Sequence, residues 1–160
     1  MMHPMRVWRI SPEKYAAQCL AGIGGLHVSG RWHHRGRPIV YTSATPSLAA
    51  LEVLVHVDPG LAPPDLRLVE VDMPDALAVE SCDPAALASN WRAFPAPAAL
   101  LDFGSAWLTE QRTPVLRVPS AVLPIEHNYI LNPAHPAAAG AKIARVLAFS
   151  FDPRLLETCR

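Results

Sequence analysis

At 160 residues, with zero formal net charge and about half of its residues apolar, the chain suits one domain, 1–160, large enough to bury a core without disulfides or metals. This balance excludes a disordered segment and the uniformly basic surface that draws a protein to nucleic acid or anionic membrane. The three cysteines, Cys19, Cys82 and Cys159, are odd in number and far apart, which argues against a disulfide framework or a cysteine zinc site. They fit a reducing compartment, the cytoplasm; Met1 to Trp8 is too short and polar for a signal peptide, and no run approaches the ~20 apolar residues of a spanning helix.

Met5 to Ile10 reads as a strand, favoured by Val7, Trp8 and Ile10. Ser11-Pro12 reads as a cap followed by proline at the first helical position, opening a short helix through Tyr15 to Cys19. Gly22, Gly24 and Gly25 mark a flexible connection without the spacing of a phosphate-binding loop. Pro38 to Thr42 is a second strand. Thr45-Pro46 repeats the cap-and-proline signal, and Pro46 to Val57 reads as a helix with Leu48, Leu51, Val55 and either Leu54 or Val57 toward a core. Asp58 to Asp65 is a loop. Leu66 to Met73 is a strand in which Val69, Val71 and Met73 alternate with acidic positions. Asp83-Pro84 starts another short helix, Trp91 to Pro97 is irregular, and Ser105 to Gln111 is helical. Val115 to Val118 is a strand ending at Pro119, and Asn128 to Leu131 and Val146 to Phe151 are further strands. The chain is an α+β domain of several short strands, and seventeen prolines imply much ordered loop, where sites tend to sit.

Charge is uneven along the chain. No acidic residue lies between Glu13 and Glu52, whereas Lys14, Arg31, Arg35 and Arg37 fall in that interval. In Arg31-Trp32-His33-His34-Arg35-Gly36-Arg37 the guanidinium groups suit phosphate, because their paired donors match two oxygens, and Trp32 is able to stack on a base or ring. The alternative is a solvated loop, the commoner state of a charge run. Adjacent histidines in an extended segment point to opposite sides, so His33 and His34 make a poor metal pair. Glu52 and His56 share a helical face, and Glu52 stands in the apolar stretch ALEVLV, where a carboxylate needs a partner. On spacing alone a Glu at the helix edge and a packed His56 remain the simpler reading. Ser120 follows a strand and either caps the next turn or donates into a cleft; no GxSxG elbow surrounds it.

Three blocks together resemble the RES-domain family, named for an arginine, a glutamate and a serine. GRWHHRGRPIVYTS, Gly30 to Ser43, carries Arg31 and Tyr41, with His33 where many members have asparagine. SLAALEVLVH, Ser47 to His56, carries Glu52. VLRVPSAVLPIEHNYILNPAHP, Val115 to Pro136, carries Ser120 and, in its NYILNP element, Asn128. The opening VWRI and the closing FDPRL also fit, and Val79 to Gly104 matches least. The resemblance implies a mixed α/β domain like the ADP-ribosyltransferase toxins, with NAD as substrate in a cleft and inorganic phosphate as co-substrate in some members. It implies a toxin that depletes NAD by phosphorolysis or hydrolysis, or else modifies a protein with ADP-ribose, and an Xre-like antitoxin as inhibitory partner. It implies no metal and no resident cofactor, and it allows a dimer.

The chemistry of that reaction assigns roles to the matched residues. The nicotinamide–ribose bond breaks through a cationic, oxocarbenium-like ribose, so an enzyme needs an anion beside the ribose and cations for the pyrophosphate. The resemblance gives the anion to Glu52, the main cation to Arg31 and a second cation to Arg9. Tyr41 would stack on nicotinamide or orient Glu52, Ser120 would position a ribose hydroxyl or the amide, and Asn128 would contact substrate. Two readings of other classes compete. One is a nucleic-acid-binding module using the Arg31–Arg37 run, which leaves Glu52 without a purpose; the other is a metal hydrolase using His33, His34 and His56.

Overall fold

The structure, a computed structural model, describes residues 5–58, 60–61 and 63–157. Met1 to Pro4, Cys159, and Pro59 and Ala62 of the expected loop lie outside the described residues. Seven strands form one sheet: β1 (Arg6–Pro12), β2 (Val40–Ser43), β3 (Leu66–Asp72), β4 (Val79–Ser81), β5 (Val115–Pro119), β6 (His127–Leu131) and β7 (Lys142–Phe149). Their spatial order is β4-β5-β6-β2-β1-β3-β7. Among the described residues, only β4 and β5 run parallel; the other neighbours are antiparallel. Three α-helices, α1 (Glu13–Ala16), α2 (Pro46–Leu54) and α3 (Ala98–Glu110), complete the mixed α+β architecture expected from the sequence.

Side-chain alternation divides the core. Val7, Val40, Val69, Val71, Val115 and Leu131 face one side of the sheet with Ala16 and Cys19. Their neighbours in sequence face the other side in two separate clusters. Trp32, Leu100 and Trp107 cover Leu116, Val118 and Ile130 on the α3 side, while Ala49 of α2 covers Ile10 and Leu66 with Phe151. Between these clusters the sheet face is left open. The sheet is also narrow there: β1 pairs with β3 along its whole length, but meets β2 at a single pair, Trp8 with Ser43.

Several local expectations change. Ser11-Pro12 does not cap a helix; Ser11 pairs with Arg67 and Pro12 with Leu66, because β3 offers β1 a ladder to the end of its length. The helix that follows has no side-chain cap and is a single turn, followed by a 3-10 turn at Cys19–Ala21. The glycine segment is a second 3-10 turn, Ile23–Leu26, with Gly22 and Gly25 buried, rather than a flexible connection. The Thr45 cap is present, its Oγ1 accepting from Leu48 N at 3.1 Å, but α2 stops at Leu54, and Val55 is 55% exposed instead of facing the core. α3 begins at Ala98 rather than Ser105. Glu70 occupies an alternating position yet is 1% exposed; Arg6 at 3.0 Å and Arg145 of β7 hold its carboxylate, the pairing a buried charge requires.

Candidate functional site

The open face between α2 and α3 is a cleft of about 950 Å³, within the size range of small-molecule sites. Its floor comes from β1, β2, β5 and β6, with Trp8, Tyr41, Ser43, Val118 and Asn128 lining it. Glu52 enters from α2, and the irregular segment 92–96 forms the facing wall. Period-two geometry explains the floor: Tyr41 and Ser43 are two apart on β2, and Ser43 stands opposite Asn128 on β6 and Trp8 on β1.

Glu52 is the most heavily bonded group in the cleft. Ser120 Oγ donates to its Oε1 at 2.6 Å, and Asn128 Nδ2 donates to the same oxygen at 2.7 Å. Among the described residues, no bond falls on Oε2. Ser120 is fully buried, and its Oγ also accepts from Val122 N at 3.1 Å and Leu123 N at 3.0 Å. A hydroxyl has one proton and two lone pairs, so Ser120 is saturated. It caps a turn and holds Glu52, and the expected bond from Ser120 to substrate has no remaining capacity to draw on. Asn128 bonds Glu52 through its amide, and that amide's Oδ1 accepts from Ser43 Oγ at 2.7 Å.

Arg31 reaches the same cleft. Its Nη1 donates to Trp91 O at 2.7 Å and Ala93 O at 3.1 Å, which fastens the wall. Burial lowers its pKa and the neighbouring Glu52 charge raises it, so the guanidinium stays cationic beside a carboxylate. Arg9, expected as a second cation, lines the cleft, but its Nη1 donates to Tyr41 O at 3.0 Å and, among the described residues, its buried Nε has no partner. Arg9 thus bridges β1 and β2 where backbone pairing has ended.

Tyr41 does not orient Glu52. Its hydroxyl accepts from Trp32 N at 3.2 Å and lies 2.7 Å from His33 Nδ1. His33 Nε2 faces the Val28 carbonyl at 2.9 Å, an acceptor only, so Nε2 carries the proton and Nδ1 accepts from the phenol. Burial lowers the His33 pKa and raises that of Tyr41, which keeps both neutral. Gly30 makes room for this pair: a Cβ there would lie 2.6 Å from the Tyr41 hydroxyl. With both ring nitrogens of His33 engaged and His34 turned outward to Asp102 at 2.7 Å, the two are not brought to a common point. His56 lies beyond α2, exposed beside Phe94. Trp32 is 2% exposed, which removes the aromatic from the nucleic-acid reading of the basic run; Arg35 and Arg37 are exposed. Burial raises both described thiols, Cys82 to about 11, a poor state for a nucleophile.

The structure therefore brings Arg31, Tyr41, Glu52 and Asn128 to one cleft with Ser120 behind Glu52. Sequence reasoning missed Ser43, which the period-two pattern of β2 places beside Tyr41, and it missed the wall at Phe94 and Pro95, for which no local signal exists.

The RES domain matches residues 6–152. A Pseudomonas putida protein named Toxin Res is 44% identical over 94% of this chain and 99% of its own length. A Sphingobium protein named Prs ADP-ribosylating toxin is 40% identical over 94% and 96%. A crystal structure of the Mycobacterium tuberculosis MbcT–MbcA toxin–antitoxin complex contains a chain that shares the fold, with a TM-score of 0.73 at 17% identity over 96% of this chain and 87% of that one. Among the described residues no helix is long and apolar enough to cross a membrane. The match over residues 6–152 and the close relatives along almost its whole length establish that this chain belongs to the RES domain family.

Proposed function

We propose that this chain is the toxin of a toxin–antitoxin pair and that it breaks the nicotinamide–ribose bond of NAD. The carrying observation is the Glu52 carboxylate, held at Oε1 by Ser120 and Asn128 and, among the described residues, left without a bond at Oε2, in a cleft shared with Arg31. As the glycosidic bond breaks, its electron pair leaves with nicotinamide, which departs neutral, and positive charge develops on the ribose. A carboxylate already fixed beside that position stabilises the charge without reorganising. Arg31 supplies the cation for the pyrophosphate, and the Tyr41 ring offers an apolar surface for nicotinamide. The acceptor, phosphate or water, then bonds the ribose carbon, and water's extra proton passes to solvent. A second reading, transfer of ADP-ribose to a protein side chain, is favoured by the name of the Sphingobium relative and uses the same cation.

The test is to incubate the purified chain with NAD, with and without phosphate, and identify the products. Free nicotinamide should appear with phosphorylated ADP-ribose, ADP-ribose, or ADP-ribose bound to protein, according to the acceptor. Glu52→Gln keeps the shape and both donors' partner, removes the charge, and should slow the reaction ~10²–10³-fold. Intact NAD under every acceptor condition overturns the reading.

A further inference from the structure

Glu52 is held by two donors, and the second of them is itself held. Asn128 has to present its NH₂ to Glu52, because a carboxylate only accepts; its oxygen then points away and needs a donor. Ser43 Oγ, at 2.7 Å from Asn128 Oδ1, is that donor. Ser43 is 4% exposed, so its hydroxyl has no easy substitute in water for Asn128, which itself stands half-buried at the cleft floor. A flipped Asn128 would set its oxygen against Glu52 Oε1 at the 2.7 Å now occupied by a hydrogen bond. Ser43 is also the residue at which β2 pairs with both neighbours: Asn128 across β6 and Trp8 across β1, the latter the single pair joining the two parts of the sheet. Its backbone is thus fixed from both sides while its side chain points into the cleft.

We propose that Ser43 is a positioning residue for the reaction at Glu52: through Asn128 it fixes the amide orientation that engages Oε1 and leaves Oε2 for the substrate. This rests on Glu52 acting on the ribosyl cation. The chain of bonds runs Ser43 hydroxyl to Asn128 oxygen, Asn128 NH₂ to Glu52 Oε1, with Ser120 closing the other side. Ser43 bonds Asn128 and not Glu52, so its loss should act on turnover through the geometry of this chain of bonds.

Steady-state kinetics of the full chain with NAD test this. Ser43→Ala should lower kcat about tenfold, the effect of losing one part-buried hydrogen bond that fixes the Asn128 amide, with KM within about twofold. Ser43→Thr, which keeps the hydroxyl and suits a strand, should restore kcat. In the Asn128→Ala background, Ser43→Ala should add nothing, as expected of residues acting in series. Unfolding midpoints establish that each variant is folded. A second readout is independent of turnover: the side-chain amide protons of Asn128 in nitrogen-15 spectra should be resolved and slow to exchange in wild type and Ser43→Thr, and averaged or fast in Ser43→Ala. Unchanged kcat in Ser43→Ala, an additive loss with Asn128→Ala, or an unchanged amide pair each overturns the proposal. If wild type leaves NAD intact but the amide pair responds to Ser43→Ala, the substrate reading fails and the positioning of Glu52 stands.

Discussion

Glu52 sits between apolar neighbours on a short helix, and its bonds come from two other parts of the fold, Ser120 after β5 and Asn128 on β6. Saturation of Ser120 shows how a hydroxyl that looks available in sequence becomes committed: its proton goes to Glu52 and its lone pairs to two backbone N–H groups. Arg31 is divided in the same way between wall and cleft. Arg31→Ala removes the cation proposed for the pyrophosphate and also frees the carbonyls of Trp91 and Ala93. It should raise the KM for NAD about tenfold or more, the range of one charge-assisted contact, with a smaller loss in kcat. Arg31→Lys should recover only part, because a single ammonium cannot hold two carbonyls and present a planar fork to phosphate. Unchanged KM and kcat in Arg31→Ala would remove it from the site.

At the scale of elements, the sequence was clearest where a local signal matched a local cause. The Thr45 cap and Pro46 at the first helical position opened α2 as read, and the Val-rich stretches became β3 and β5. It was least clear where a distant partner decided. Ser11-Pro12 carries a helix-start signal, but the β3 ladder draws it into β1. β4 is three residues long and exists by pairing with β5, which nothing in Val79–Ser81 announces. The resemblance located Arg31, Tyr41, Glu52, Ser120 and Asn128; periodicity alone did not. Gly104 interrupts the helical signal of α3 ahead of Ser105, yet its placement depends on close approach to the Trp32 backbone, where a Cβ would lie 1.7 Å from the carbonyl oxygen. Gly104→Ala should gain intrinsic helix propensity yet destabilise the protein by about 3 kcal/mol through over-packing. Chemical denaturation measures this, and a stabilised variant would show that α3 can move away from Trp32 freely.

At the scale of the whole molecule, zero net charge coexists with a cleft in which Arg31 faces Glu52, so the pull on the anionic substrate proposed above is local. The proposed consumption of NAD, left without restraint, would harm the host. Induction of the soluble wild-type chain should lower cellular NAD and arrest growth, Glu52→Gln should do neither, and co-expression of a cognate antitoxin should restore NAD. Normal growth and normal NAD at strong soluble expression would sink the toxin reading while leaving family membership intact. The two walls of the cleft differ in kind. α2 follows β2 directly and is braced by the Thr45 cap, whereas the wall at 92–96 belongs to the long crossover from β4 to β5, tied by Arg31 and by Arg92 to Ala121 O. No strand pairing passes through it. A change of length there breaks no ladder of the sheet, so this wall is the part of the cleft that strand pairing constrains least, while the residues around Glu52 stay under the constraint of the sheet.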